Sequence, residues 1–284
     1  MGKFIFEAPQ NSLYRVTDAL DPRWKMMKVM NLTKNHRQGK FHDYANLLNR
    51  VRTGSQTRED LKMLEERVRP VNHPDLKSVN LFIVCTKKVC GRINSFYLQQ
   101  LEGRELVIRA RHHLQTRKKF KPYICAKEGT VANTSFMDEL HLKIGCKVIL
   151  IHNIDTSDGL TNGQLGELRW VITNEDGNIV KLLVEFKNEK VGSKNRKNNS
   201  NLIYKYPKAT VIEKVCVSYS LSKKSSVDSV RPTLIQFPIK VAQAITAHKI
   251  QGQSILMPSK VALDLSSVFE VRLGWVRLLP EYFG

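Results

Sequence analysis

Residues 244–255 open apolar, pass through Thr246, His248 and Lys249, and then reach Gln251, Gly252, Gln253 and Ser254. A hydroxyl, an imidazole and an ammonium in so short a span can each donate to a phosphate oxygen without reading a base. A glycine beside them lets the backbone turn close to a ligand. That combination suits gripping a phosphate backbone or a nucleotide; on spacing alone, a helix followed by a turn fits as well. A second concentration of donors spans residues 104–121, with seven Lys or Arg, two His and one Glu. It can line a strand channel, where phosphate neutralisation gives an affinity that falls with salt, or form a solvated rim.

The whole chain leans the same way. Its 284 residues carry 46 Lys and Arg against 26 Asp and Glu, a net charge of +20. That excess favours a polyanionic partner, most simply nucleic acid. Hydrophobic residues at 42% are enough for a real core, and the length allows one large domain or two smaller ones. No stretch approaches the length of a membrane span. The first residues are too poor in apolar side chains for a signal peptide, and Phe6 stands where myristoylation needs Ser or Thr. The cysteines, at 85, 90, 125, 146 and 216, form no CxxC pair, so no zinc site is expected and the thiols read as reduced and buried. The nucleus is the expected location, with the mitochondrion or cytoplasm as alternatives.

The elements that must position these groups follow from periodicity. Phe41, Tyr44, Ala45, Leu47, Leu48 and Val51 recur at helical spacing, and Gly54 ends that helix. Thr57 and Asp60 are spaced as a capping box for a second helix, with Leu61, Leu64 and Val68 as its apolar stripe and Pro70 as its stop. Residues 79–85 are almost wholly apolar, as a strand buried on both faces of a parallel sheet reads. They run into a helical segment, leaving Thr86 at the carboxyl end of the strand, where such sheets bind ligands. From Glu105 the pattern alternates. A strand with a basic face is expected over 106–114, further strands over 143–151, 167–173 and 179–186, breaks at Gly163 and Gly166, and a turn at Asp176 and Gly177. Short strands and tight turns predict a small antiparallel barrel. Residues 193–201 read as a disordered basic loop. Residues 236–242 return to α/β character, and 260–265 read as another buried strand.

The 244–255 stretch resembles the Thr-x-His-Lys-x-Gln-Gly motif of superfamily-one DNA helicases of the Pif-one family and their helitron-transposon relatives. Further pieces match in the family's order. Residues 32–38, ending Arg37 and Gln38, resemble its arginine-glutamine motif. The helix over 44–52 and the segment 54–60 follow as the family places them. Residues 79–94 resemble its strand ending in threonine, Thr86, followed by a helix bearing asparagine, Asn94. Residues 142–153 and 160–166 resemble its small inserted barrel.

The resemblance implies an α/β fold: a RecA-like parallel-sheet domain of the P-loop NTPase type, without the phosphate loop, holding an inserted SH3-like β-barrel. Residues 1–104 would begin this second motor domain. Residues 105–232 would be the insertion, with the barrel at about 142–190, and 233–284 would return to the motor domain. The implied activity is that of the C-terminal part of an ATP-dependent DNA helicase moving 5′ to 3′ in repair, recombination or transposition. ATP and Mg2+ are expected for the complete enzyme, and none bound by this chain alone. The implied partners are single-stranded DNA and a first RecA-like motor domain that this chain lacks. By resemblance Arg37 is the catalytic ATP contact, its permanent charge stabilising the transferring phosphoryl group. Gln38, Gln251 and Gly252 would line the nucleotide, and Thr86, Asn94, Thr246, His248 and Lys249 would hold DNA. No G-x-x-x-x-G-K run followed by Ser or Thr exists. Beyond Glu270 the text departs from the family, and Arg272 and Arg277 do not fit the spacing of its last arginine motif. The chain is therefore expected to be truncated and inactive alone, the alternative being a non-catalytic fragment of a transposon helicase that binds single-stranded nucleic acid.

Overall fold

The first expected helix is α1, His42–Thr53, in a computed structural model that describes residues 28, 30, 42–70, 73–115, 120–122, 134–219, 232–251, 260–264 and 275–278. Ala45 and Leu47 are its buried positions. Thr53 closes it by donating its hydroxyl to the Asn49 and Arg50 carbonyls, and Gly54 leaves it at φ +71°. α1 belongs to one unit, residues 1–56; all later elements belong to a second, residues 57–284.

In that second unit, α2, Arg58–Glu65, starts on the expected reciprocal cap. The Asp60 N–H donates to Thr57 Oγ1 at 3.2 Å, and the Thr57 N–H donates to the Asp60 carboxylate at 3.0 Å. The helix is shorter than its apolar spacing implied. Leu61 is 44% exposed, and Val68 pairs instead as the first residue of β1, Val68–Pro70. The apolar run at 79–85 forms β2, Leu81–Val84, and passes into α3, Lys87–Gln100.

The single basic strand expected over 106–114 is two strands in different sheets: β3, Leu106–Arg109, and β4, Arg111–Gln115. The division follows from Asp138. Its carbonyl takes the Ala110 N–H at 2.8 Å, and its carboxylate takes a 2.6 Å bond with His112, whose other ring nitrogen meets the Tyr219 hydroxyl at 2.9 Å. Next come β5, Phe120–Pro122, β6, Glu139–Leu142, β7, Lys147–Leu150, β8, Leu165–Thr173, and β9, Ile179–Phe186. The β8–β9 turn falls at Asp176 and Gly177 as expected. Gly166 does not break the chain; it sits inside β8, where any Cβ would lie 2.7 Å from Val184 Cγ1 and 2.8 Å from the Glu185 carbonyl.

Residues 193–201 are not a disordered loop. They hold α4, Ser193–Asn198, fastened by the buried Asp158 carboxylate, which accepts the Lys194 and Asn195 N–H groups at 2.9 Å each. The Asn195 amide in turn bonds both the N–H and the carbonyl of Val211. The chain continues through β10, Ala209–Glu213, β11, Val215–Ser218, β12, Pro232–Gln236, β13, Ile239–Val241, β14, Ala244–Thr246, the short helix α5, Ala247–Ile250, β15, Val261–Asp264, and β16, Trp275–Leu278. Cys216 is exposed rather than buried, because β11 turns alternate residues outward; Cys146 is buried and Cys85 and Cys90 are half-buried. Cys125 lies outside the described residues.

One sheet runs β1-β16-β15-β2-β14, with β15, β2 and β14 mutually parallel, β16 antiparallel to β15, and β1 antiparallel to β16. The buried strand expected at 260–265 is thus β15, and the backbone of the C-terminal stretch with its atypical text pairs with it. A second, antiparallel sheet runs β10-β9-β8-β7-β13. The strands expected to close a barrel within about 142–190 instead join an open sheet among the described residues. Its edges, β10 and β13, come from later in the chain. A third sheet runs β11-β12-β4-β5, and β3 pairs with β6. The return to α/β character is later than residues 233–236. β12 and β13 remain in antiparallel sheets, and the chain rejoins β2 only at Ala244. The Gln243 amide marks the crossing by donating to the Val79 carbonyl at 3.0 Å.

β7 joins the two main cores. Val148 and Leu150 pack with Leu168, Leu182 and Phe237 inside the insertion. Ile149 pairs with Lys240 in β13 yet packs, with Ile151, against Leu81, Ile83, Ile245 and Val261 of the parallel sheet. Among the described residues no helix is long and apolar enough to cross a membrane, and no group of three His, Cys, Asp or Glu is placed to hold a metal.

The close approach at Gly166 gives a direct test. Gly166→Ala forces a methyl onto backbone as well as side chain and is expected to cost about 1–3 kcal/mol, read as a lower midpoint in urea unfolding.

Candidate nucleic-acid interface

The parallel register sets Thr246 opposite Val84. Thr86 lies two residues beyond Val84, and His248 two beyond Thr246, so both segments leave the same end of the sheet. It is the carboxyl end, where open α/β sheets bind ligands. Thr86 is exposed and caps α3, its Oγ1 accepting the Val89 N–H at 3.3 Å. A hydroxyl that accepts here still has its own hydrogen to donate. Thr246 is half-buried at the start of α5 and makes no capping bond there. His248 is exposed, and Gln251 is exposed just past the helix. Arg37, Gln38 and Gly252 lie outside the described residues, so the expected nucleotide contacts are represented here by Gln251 alone.

Asn94 has a different setting from the one its family position suggests. Its amide grips the backbone of Ala244 from α3: Nδ2 donates to the carbonyl at 3.0 Å, and Oδ1 accepts the N–H at 2.7 Å. The Cys90 thiol donates to the same carbonyl at 3.1 Å. Asn94 therefore holds β14, the edge strand that carries Thr246, in place. A position on a helix gave no sign of this partner, which lies 150 residues away in the chain.

Two contributors were not foreseen. Asn162, in the loop before β8, accepts the Lys249 ammonium through Oδ1, and its own N–H donates to Asn153 Oδ1 at 2.7 Å. The stretch around residue 160 was legible as a motif, but its partner in the strand-end segment was not. The other is Lys240 in β13. Burial, then the charges of Lys87 and Lys249, push its pKa down to about 8. Burial also lowers Lys249. With Lys87 and Lys249 close enough to disfavour the charge on Lys240, this end of the sheet is attractive to an anion, and partial burial strengthens that attraction.

The sequence and fold both have known counterparts. A family model described as "DNA helicase Pif1, 2B domain" matches residues 131–170. The ATP-dependent DNA helicase Pif1 of Campylobacter jejuni is 28% identical over 141 residues, covering 49% of this chain and 27% of that protein. The ATP-dependent DNA helicase PIF1 of Emericella nidulans is 24% identical over 274 residues, covering 83% of this chain and 33% of that protein. The chain thus spans a third or less of the length of these relatives. The crystal structure of Pif1 helicase from Candida albicans superposes with a TM-score of 0.56 at 20% identity, over 83% of this chain and 50% of that one. The chain is Pif1-like in sequence and carries the RecA-like α/β fold of that helicase type.

The clamp on β14 predicts a stability effect. Asn94→Ala leaves the Ala244 N–H without its amide partner and is expected to cost about 1–3 kcal/mol, measured by urea unfolding. Lys240 predicts a pH effect. Its folded pKa is lowered, so its charge is lost as pH rises through about 8. Anion affinity at the strand ends should weaken between about pH 7 and about pH 9, and the native chain should converge there with Lys240→Gln in a titration by fluorescence anisotropy.

Proposed function

We propose that this Pif1-like chain is the strand-gripping half of an ATP-dependent DNA helicase, working with a first motor domain that supplies the phosphate loop and the carboxylates for Mg2+. The observation that carries this reading is the convergence of Thr86, Thr246 and His248 on one end of paired parallel strands, beside Lys87, Lys240 and Lys249. Hydroxyl, imidazole and ammonium donors of this kind hold a phosphate backbone whatever its sequence. In this reading Arg37, Gln38, Gln251 and Gly252 face the nucleotide, and ATP hydrolysis supplies the free energy for movement. Mg2+ is assigned to the partner domain, as the family resemblance implies. The antiparallel sheet around β7–β9 is the SH3-like insertion of the same helicase type. The nucleus is the proposed compartment.

The test is a titration of single- and double-stranded DNA over a salt series, with the native chain and with Thr246→Ala/His248→Ala. The expected result is a preference for single strands that the double change weakens by roughly tenfold, the worth of one to two hydrogen bonds. ATP hydrolysis by the chain alone should stay at background. Equal binding of single and double strands, untouched by the double change, would overturn the grip and leave a generic basic surface. Robust DNA-stimulated hydrolysis would overturn the dependence on a partner domain. Preferential strand binding that persists when a first motor domain is added, with no hydrolysis, would favour a non-catalytic binding fragment.

A further inference from the structure

β8 carries a bulge. Leu168 pairs with Val184 and Trp170 with Leu183, so Arg169 is an extra residue with nothing opposite it. An inserted residue moves the side chains after it to the other face. Leu168, Leu182 and Val184 stay in the insertion's main core, whereas Trp170 lies on the opposite face of the sheet, with Leu183 and Ile172, which pack into a separate small cluster. Strict alternation would have buried it beside Leu168. Instead the indole is 50% exposed.

The exposed ring is held in place. It stacks on Tyr206, with centroids 6.0 Å apart and planes at 22°. Tyr206 in turn packs on a small cluster of Leu183, Ile203, Ala209 and Val211, and its N–H bonds the Ile203 carbonyl at 2.7 Å. Two residues before it, Tyr204 is 72% exposed, with the Lys205 ammonium 5.6 Å from its ring centre.

A cavity of about 580 Å3 adjoins this stack, sharing Arg169 of the bulge and Pro207 and Lys208, which follow Tyr206. Lys147, Lys187 and Arg196 also line it. Its carboxylates are engaged: Glu167 and Glu185 by Arg169, and Glu189 by Lys208 at 2.8 Å. Burial, and then the charge of Lys187, bring the Lys147 pKa down to about 8. The cavity reaches Leu81, the first residue of β2, so it lies at the opposite end of that strand from Thr86.

We propose that this outer face of the insertion is a separate contact for single-stranded nucleic acid, with an unpaired base stacked on Trp170 and its phosphate held at Lys147 and Lys187 in the adjoining cavity. The pairing of a half-exposed ring with one half-buried and one exposed cation matches the two halves of a nucleotide. A duplex keeps its bases stacked on one another and offers no free face to the indole. The inference goes beyond the strand-end grip and does not depend on it.

The experiment photo-crosslinks the full chain to a single-stranded oligonucleotide carrying iodouracil and maps the modified peptide. The expected crosslinks fall on Trp170 or Tyr206. Trp170→Leu should weaken single-strand affinity roughly tenfold, within the range for loss of one stacked base, and Trp170→Phe should restore most of it. Lys147→Gln/Lys187→Gln should reduce the salt dependence by roughly one phosphate contact. Crosslinks elsewhere, with affinity unchanged in Trp170→Leu, would overturn the proposal, as would duplex binding as tightly as single strands. Thr246→Ala/His248→Ala separates the two sites. Loss there with none in Trp170→Leu removes only this face, and the reverse removes only the strand-end grip.

Discussion

The structure depends on a strand with two buried faces. β7 sends Val148 and Leu150 into the insertion and Ile149 toward the parallel sheet, where Ile151, just past its end, joins it. Each of these side chains contributes about 1.5–3 kcal/mol when fully buried, and the contribution requires both layers to be present. A register slip of one residue would exchange the two sets and offer each core side chains shaped for the other. The antiparallel insertion is therefore packed onto the α/β layer as well as onto itself.

From that crossing the candidate grip is positioned by polar contacts. Gln243 reaches the Val79 carbonyl, and Asn94 holds both polar atoms of Ala244. β14 is only three residues long and lies at the edge of its sheet, so the Asn94 amide does for one side of it what a neighbouring strand does elsewhere. Thr246 can then face outward at the start of α5 because the backbone before it is already held.

Local signals in the sequence were read well. The Thr57–Asp60 cap, the Asp176–Gly177 turn, and the buried strands at 79–85 and 260–265 each depend on neighbours within a few residues, and each stands as expected. What was not legible depends on distant partners. Residues 193–201 look like a polar linker until Asp158 supplies the acceptor that fastens α4. Gly166 looks like a break until Val184 and Glu185 show why the strand needs a glycine there. The split at Ala110 needed Asp138 and Tyr219. For the candidate site, Thr86, Thr246 and His248 were visible as types at the ends of elements. Lys240 and Asn162 were not, because their significance lies in what the fold brings beside them.

The bond from Lys249 to Asn162 links the strand-end segment to a loop of the insertion. In sequence these are separate modules, and a recombination event could exchange one while leaving the other. In the folded chain they are coupled through this bond. An insertion that arrived without an acceptor at residue 162 would leave a half-buried ammonium unanswered at the edge of the grip. An exchange that kept an acceptor there would preserve the link, so the two segments constrain each other through one side chain even though the chain between them is long.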